Sequence, residues 1–259
     1  MVGTGASEAT QEIHIFLLPL DPDEATLKRY YAAVQEWNDK VLPELKSKGI
    51  SSDVMKACHL ALIFRSPDGS DKEVCVMQSA RYIRSNDPKL VVEQCHEDAE
   101  WFISHGFEVV REKIEASAYG IQGIPQTDDD AKRLSRYFEF HIKVKRKDRA
   151  DDSPIIADEV TQLKAISVAF SRQYKVPVPL SYNKNKECKA PQRFLNLRFR
   201  DMGIASIKPL VKQVEQAIEA DTAFTVMKTI SEYVWFDTYS EMDRGWIDYS
   251  PEELVALLA

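Results

Sequence analysis

Two short stretches of the chain carry side chains suited to moving protons. Glu12-Ile13-His14-Ile15 and Glu139-Phe140-His141-Ile142 share one order of residue types, and their histidines stand 127 positions apart. Imidazole titrates near neutral pH, so paired histidines beside carboxylates suit proton donation and acceptance. Arg81, Arg198 and Arg200 lie in similar alternating stretches and supply forked donors for a phosphate or carboxylate. His14 and His141 are therefore the candidate catalytic residues. Arg81, Glu139, Asn196, Arg198 and Arg200 are the candidate ligand-binding set. The plainer alternative is structural: buried Glu–Arg pairs set register, and a hydrogen-bonded imidazole can simply complete a sheet.

These residues need strands to position them. Tyr137 to Lys147 alternates, with Phe138, Phe140, Ile142 and Val144 on one side and Glu139, His141, Lys143 and Lys145 on the other, the signature of a strand with one buried face. Glu12 to Leu20 reads as the first strand, with Ile13, Ile15 and Leu17 on one face. Helices follow each of these strands: one opens at Asp21-Pro22-Asp23-Glu24, with Asp21 as expected cap, a kink or restart at Pro43 and Gly49 as its close, and another opens near Asp158. The order in each half reads β-α-β-β-α-β, and an ungapped offset of 117 places Ala80-Arg81-Tyr82 on Leu197-Arg198-Phe199 and Glu115 on Glu232.

The fold class expected is α+β, a tandem duplication of a ferredoxin-like βαββαβ unit with antiparallel sheets and helices on one face. The repeats span 12–120 and 136–239, and a helical tail spans 240–259. The face opposite the helices is expected to carry Glu139, His141, Lys143, Phe194, Asn196, Arg198 and Arg200 from the second half. Glu12, His14, Phe16, Met77, Ser79, Arg81 and Ile83 join them from the first. A proline-containing segment, Val176 to Tyr182, is expected as an edge strand.

Composition narrows the function classes. The chain has 259 residues, 44% hydrophobic and 29% charged, with net charge -7, which disfavours non-specific nucleic-acid binding. It has no apolar run of the roughly 20 residues that span a bilayer and no secretory signal pattern. Cys58, Cys75, Cys95 and Cys188 form no Cys-x-x-Cys pair, which reads as thiols in the cytosol. Gly3-Thr4-Gly5 is no dinucleotide loop, and no P-loop or His-Glu-x-x-His motif occurs. Neither a metal nor a cofactor is expected.

One histidine strand per half resembles the two-histidine phosphoesterases, which would make His14 and His141 hydrolyse a phosphodiester. That family has Thr or Ser two residues after each histidine, where this chain has Phe16 and Lys143. The tandem architecture is similar to the dimeric α/β-barrel proteins, which include haem enzymes and monooxygenases. Tyr137-Phe138-Glu139-Phe140-His141, Arg193 to Arg198, and Glu232-Tyr233-Val234-x-x-Asp237 with Asp243-x-Gly245-Trp246 resemble a family of uncharacterised proteins, over most of the second half, with no activity implied. The function expected is binding of a small anionic molecule between two sheets. The alternatives are a non-enzymatic interaction module, including pairing with a second copy of the chain, and a divergent phosphoesterase.

Overall fold

The computed structural model describes residues 8–65, 71–119, 123–149, 156–183 and 193–240. The elements in chain order are β1 (Thr10–Leu18), α1 (Glu24–Ser47), β2 (Ser51–Ser52), β3 (Lys56–Arg65), β4 (Asp71–Arg84), α2 (Pro88–Ser104), β5 (Glu108–Ser117), α3 (Asp128–Ala131), β6 (Tyr137–Arg146), α4 (Ala157–Tyr174), β7 (Leu180–Asn183), β8 (Arg193–Arg200), α5 (Ile204–Asp221) and β9 (Phe224–Asp237). The tail 241–259, the turn at 66–70, Cys188 and most of the polar loop before Arg193 lie outside the described residues. No helix among the described residues is long and apolar enough to cross a membrane.

The sheet corrects the expected fold class. β1 pairs antiparallel with β4 and β5, and β6 with β8 and β9. These strands do not form two ferredoxin-like sheets with open faces. β5 pairs with β9 and β3 with β7, all antiparallel. Eight strands thereby close in the order β1-β5-β9-β6-β8-β7-β3-β4 and back to β1, with β2 as a short addition on β4. Closure removes the sheet edges, whose N–H and C=O groups would otherwise go unpaired. Alternation along a strand tells which side is buried; it does not tell what a strand's outer edge pairs with.

Alternate residues of each strand build two layers. Ile13, Ile15 and Leu17 pack under α1 and α2 with Tyr30, Val34, Trp37, Val91 and Phe102. Phe138, Phe140, Ile142 and Val144 pack under α4 and α5 with Leu163, Phe170, Ile207 and Val214. The helices thus cover the outside, and the intervening residues point into the lumen. Each fully buried Leu, Ile or Phe in these layers contributes roughly 1.5–3 kcal/mol, which fixes strand facing because a one-residue slip would exchange every core residue for a lumen residue.

Local signals set the helix ends with two revisions. Asp23, not Asp21, caps α1, accepting from Thr26 N at 2.7 Å, while Asp21 accepts from Cys75 N at 2.7 Å. The helix runs through Pro43 to Ser47. Gly203 at the start of α5 allows a close approach: a Cβ there would collide with the Thr127 and Gln126 backbone, and its N–H donates to Asp128 Oδ1 at 2.8 Å. β7 is not an edge. It lies between β3 and β8, which its sequence permits because Pro177 and Pro179 precede the ladder and remove no hydrogen bond from it.

Candidate functional site

The lumen encloses a cavity of about 220 Å³. Phe16, Leu62, Val76, Phe194 and Ile230 form its apolar wall, and Glu12, His14, Lys113, Glu115, Glu139, His141 and Glu232 its polar one. A second space of about 270 Å³ shares Glu12, Tyr82, Glu115 and Glu232 with it. These polar side chains come from β1, β5, β6 and β9, adjacent strands in the closed order, so barrel closure alone brings the two halves' carboxylates together.

At the first pole, His14 Nε2 lies 2.6 Å from Glu115 Oε1, and the Gln78 amide nitrogen is 2.5 Å from Nδ1. At the second, His141 Nδ1 lies 2.6 Å from Asn196 Oδ1, with Nε2 2.9 Å from Glu232 Oε2 and 3.8 Å from Glu139 Oε2. Lys113 Nζ joins the poles, 2.8 Å from Glu115 Oε2 and 2.7 Å from Glu139 Oε2. Arg198 donates from Nε to Glu139 Oε1 at 3.0 Å, and from Nη2 to the same oxygen, while stacking 4.2 Å over the Tyr137 ring. Arg111 is held by Asp237 at 2.9 and 2.6 Å and donates to Tyr137 Oη at 2.9 Å.

Burial and charge pull against each other here. Burial favours neutral His14, but the Glu115 carboxylate outweighs it and raises the imidazole above its ordinary value. For His141, burial is again overcome by Glu232, then Glu139, and the pKa is pushed up to about 9. Burial and the Glu115 charge raise Glu232 to about 7, so at neutral pH the proton of that pair sits on His141. Despite burial, Lys113 and Arg198 hold Glu139 well below the carboxylate range, and Glu115 and Glu139 hold Lys113 well above the ordinary amine value. The result is a chain of alternating charge across the lumen.

The sequence-predicted residues divide. His14, Glu139, His141 and Asn196 all line the cavity, and Arg198 stands directly behind Glu139. Arg200 stacks 4.5 Å over Tyr137 and is not among the cavity-lining residues. Arg81 is a correction. It faces the helices, with Nε 2.5 Å from Asp98 Oδ2, Nη1 2.9 Å from Ser52 Oγ, and its guanidinium over Trp37. Met77 and Ile83 face the same outer core. Register is the cause: Ala80 stands opposite His14 and Arg81 opposite Ile13, whereas Asn196 stands opposite His141 and Arg198 opposite Glu139. The 117-residue offset aligns Arg81 with Arg198, and pairing requires 116 at this strand, a shift of one that reverses facing.

Sequence reasoning missed Glu115, Glu232, Lys113 and Gln78. A signal for two of them was present, since the same offset aligns Glu115 with Glu232, the two carboxylates that meet the two histidines. Lys113 and Gln78 carry no pattern that separates them from other polar strand residues.

No known protein family matches the sequence, and no curated protein is similar to it. Among solved structures, a heme-binding protein from Thermus thermophilus is 14% identical, over 97% of this chain and 95% of that one, with a TM-score of 0.27. A mutant chlorite dismutase from Candidatus Nitrospira defluvii is 10% identical, over 97% and 96%, with a TM-score of 0.26. Likenesses this weak say nothing about ligand or chemistry.

Proposed function

We propose that the barrel binds a small, partly apolar molecule in its lumen and that the His14–Glu115 and His141–Glu232 pairs exchange protons with it. The observation that carries this reading is the convergence of both histidine–carboxylate pairs on one cavity. At about 220 Å³ the space falls below the roughly 300 Å³ lower end for drug-sized ligands, so the ligand is a compact one. The apolar wall suits its body and the carboxylate-rich wall its head group.

The head group follows from charge. An anion would need uncommitted cations, yet Lys113 is shared by Glu115 and Glu139, Arg198 is engaged by Glu139, and Arg81 lies outside with Asp98. A hydroxyl or amine donor fits this wall better than the anionic group expected from the arginines. Melting-temperature shifts with a panel of small amines, alcohols and organic acids test the reading, because a ligand specific to the native state raises the Tm. A supporting ligand shifts the wild-type chain and not Val76→Phe, which fills the lumen. No shift from any amine or alcohol, or equal shifts in both proteins, would refute it.

A further inference from the structure

The pole around His141 has a feature that proton exchange does not require. Asn196 directs its amide nitrogen to Pro179 O and Ser181 Oγ, at 3.1 and 3.0 Å, so its carbonyl oxygen faces His141 Nδ1 at 2.6 Å. That carbonyl only accepts, which places the Nδ1 proton and turns the Nε2 lone pair of the neutral ring toward Glu232 and Glu139. In the metal-free chain a proton on Nε2 and the Lys113 ammonium offset the repulsion among these groups, and a metal ion would take the place of that proton. Glu232 is 9% exposed, and its Oε2, 2.9 Å from Nε2, accepts no hydrogen bond among the described residues.

We propose that Glu139, His141 Nε2 and Glu232 form a site for a first-row divalent metal ion, with water or the lumen ligand completing its coordination. This deepens the lumen-binding reading and rests on it. Bonds of about 2.0–2.2 Å place neighbouring donors about 3–3.5 Å apart, and the donor atoms of these three residues lie within 4.8 Å of one another, so small side-chain adjustments complete the site. One imidazole with two carboxylates suits Zn²⁺, Mn²⁺ or Fe²⁺ and not a thiolate-seeking ion.

Charge balance agrees. Once the ion has displaced the Nε2 proton of His141, and with His14 neutral, Glu12, Glu115, Glu139 and Glu232 set against Lys113 and Arg198 leave two negative charges, the complement of one divalent ion. Arg111 and Asp237 neutralise each other. The Glu12–His14–Glu115 cluster offers the same residue types within the same span. Its wiring differs: Gln78 presents a donor to His14 Nδ1, so the ring proton sits on Nε2, against Glu115. That nitrogen has no lone pair for a metal. Local spacing along the chain suggested no ligand set, because the three ligands come from two strands separated in sequence.

Calorimetric titration of the intact, chelator-stripped chain with Zn²⁺ and with Mn²⁺, in the absence of any organic ligand, tests the site. A single equivalent should bind. His141→Gln and Glu232→Gln should weaken binding by about a hundredfold or more, and Asn196→Leu by about 10–100-fold, while His96→Gln, which removes an exposed histidine paired with Glu112 outside the lumen, leaves it unchanged. Should a variant fail to fold, ¹⁵N spectra of the wild-type imidazoles give the same answer: Zn²⁺ moves the Nε2 resonance of His141 and not that of His14. No binding by the wild-type chain, binding unaffected by both His141→Gln and Glu232→Gln, or a Zn²⁺ shift at His14 instead would overturn the proposal. Small-molecule melting shifts are measured separately, so a lumen that accepts an amine but no metal refutes the metal site alone.

Discussion

The two poles of the lumen begin from the same strand pattern and end with opposite wiring. His14 receives a donor on Nδ1 from Gln78 and is hydrogen-bonded to one carboxylate; His141 meets an acceptor on Nδ1 from Asn196 and faces two. Glu139 is backed by Arg198, while Arg81 of β4 stands behind the sheet with Asp98. The lesson is that a histidine strand does not carry its chemistry by itself. The neighbouring strand's register supplies the partner atom, and that atom decides which ring nitrogen keeps the proton.

The largest effects should come from breaking the buried ion pairs. Lys113→Met leaves Glu115 and Glu139 facing each other and should cost about 3–5 kcal/mol, measured by urea unfolding; a cost below about 1 kcal/mol would show that the poles are not coupled through it. Arg81→Met removes the buried partner of Asp98 and should cost about 3–5 kcal/mol as well. Because Arg81 faces the helices, that variant should leave the ring resonances of His14 and His141 in place. A large shift in either would argue against the outward facing.

Amide replacements should be smaller and unequal. Asn196→Leu strips partners from His141, Ser181 and a backbone carbonyl, and should cost about 1–3 kcal/mol. Gln78→Leu removes one donor to His14 and should cost less; equal costs in urea titrations would erase the distinction between the poles.

The smallest effect is the pH slope. In the metal-free chain His14 has a folded pKa above its unfolded value because of Glu115. Its contribution is fully present below the unfolded value of about 6.5 and is lost as pH rises through the folded value. Wild type should therefore lose stability relative to His14→Gln as pH is raised from 6 toward 9, and a difference that grows in the other direction would reverse the assigned sign.

Much of the framework was legible in the residues. The alternation of Phe138, Phe140, Ile142 and Val144 against Glu139 and His141 follows directly from burial, and Pro88 after Asp87 marks the start of α2 as the structure has it. Glu115 and Glu232 were visible as an aligned pair without a visible purpose. Arg81 misled because polar and apolar residues share both faces of β4, with Ser79 and Arg81 buried beneath the helices, so that strand lacks a clean alternation.

The sequence by itself determined which residues favour strand or helix and, for β1 and β6, which side chains leave the core, since these depend on local backbone preference and on hydrophobic period. Only the tertiary structure decided that the sheet closes, that β4 and β8 sit one residue out of step, and that carboxylates from distant strands surround each imidazole. Those outcomes rest on pairing between segments more than a hundred residues apart, and edge hydrogen bonds are made by backbone groups common to nearly every residue. No side-chain pattern along the chain records which edge a strand will meet.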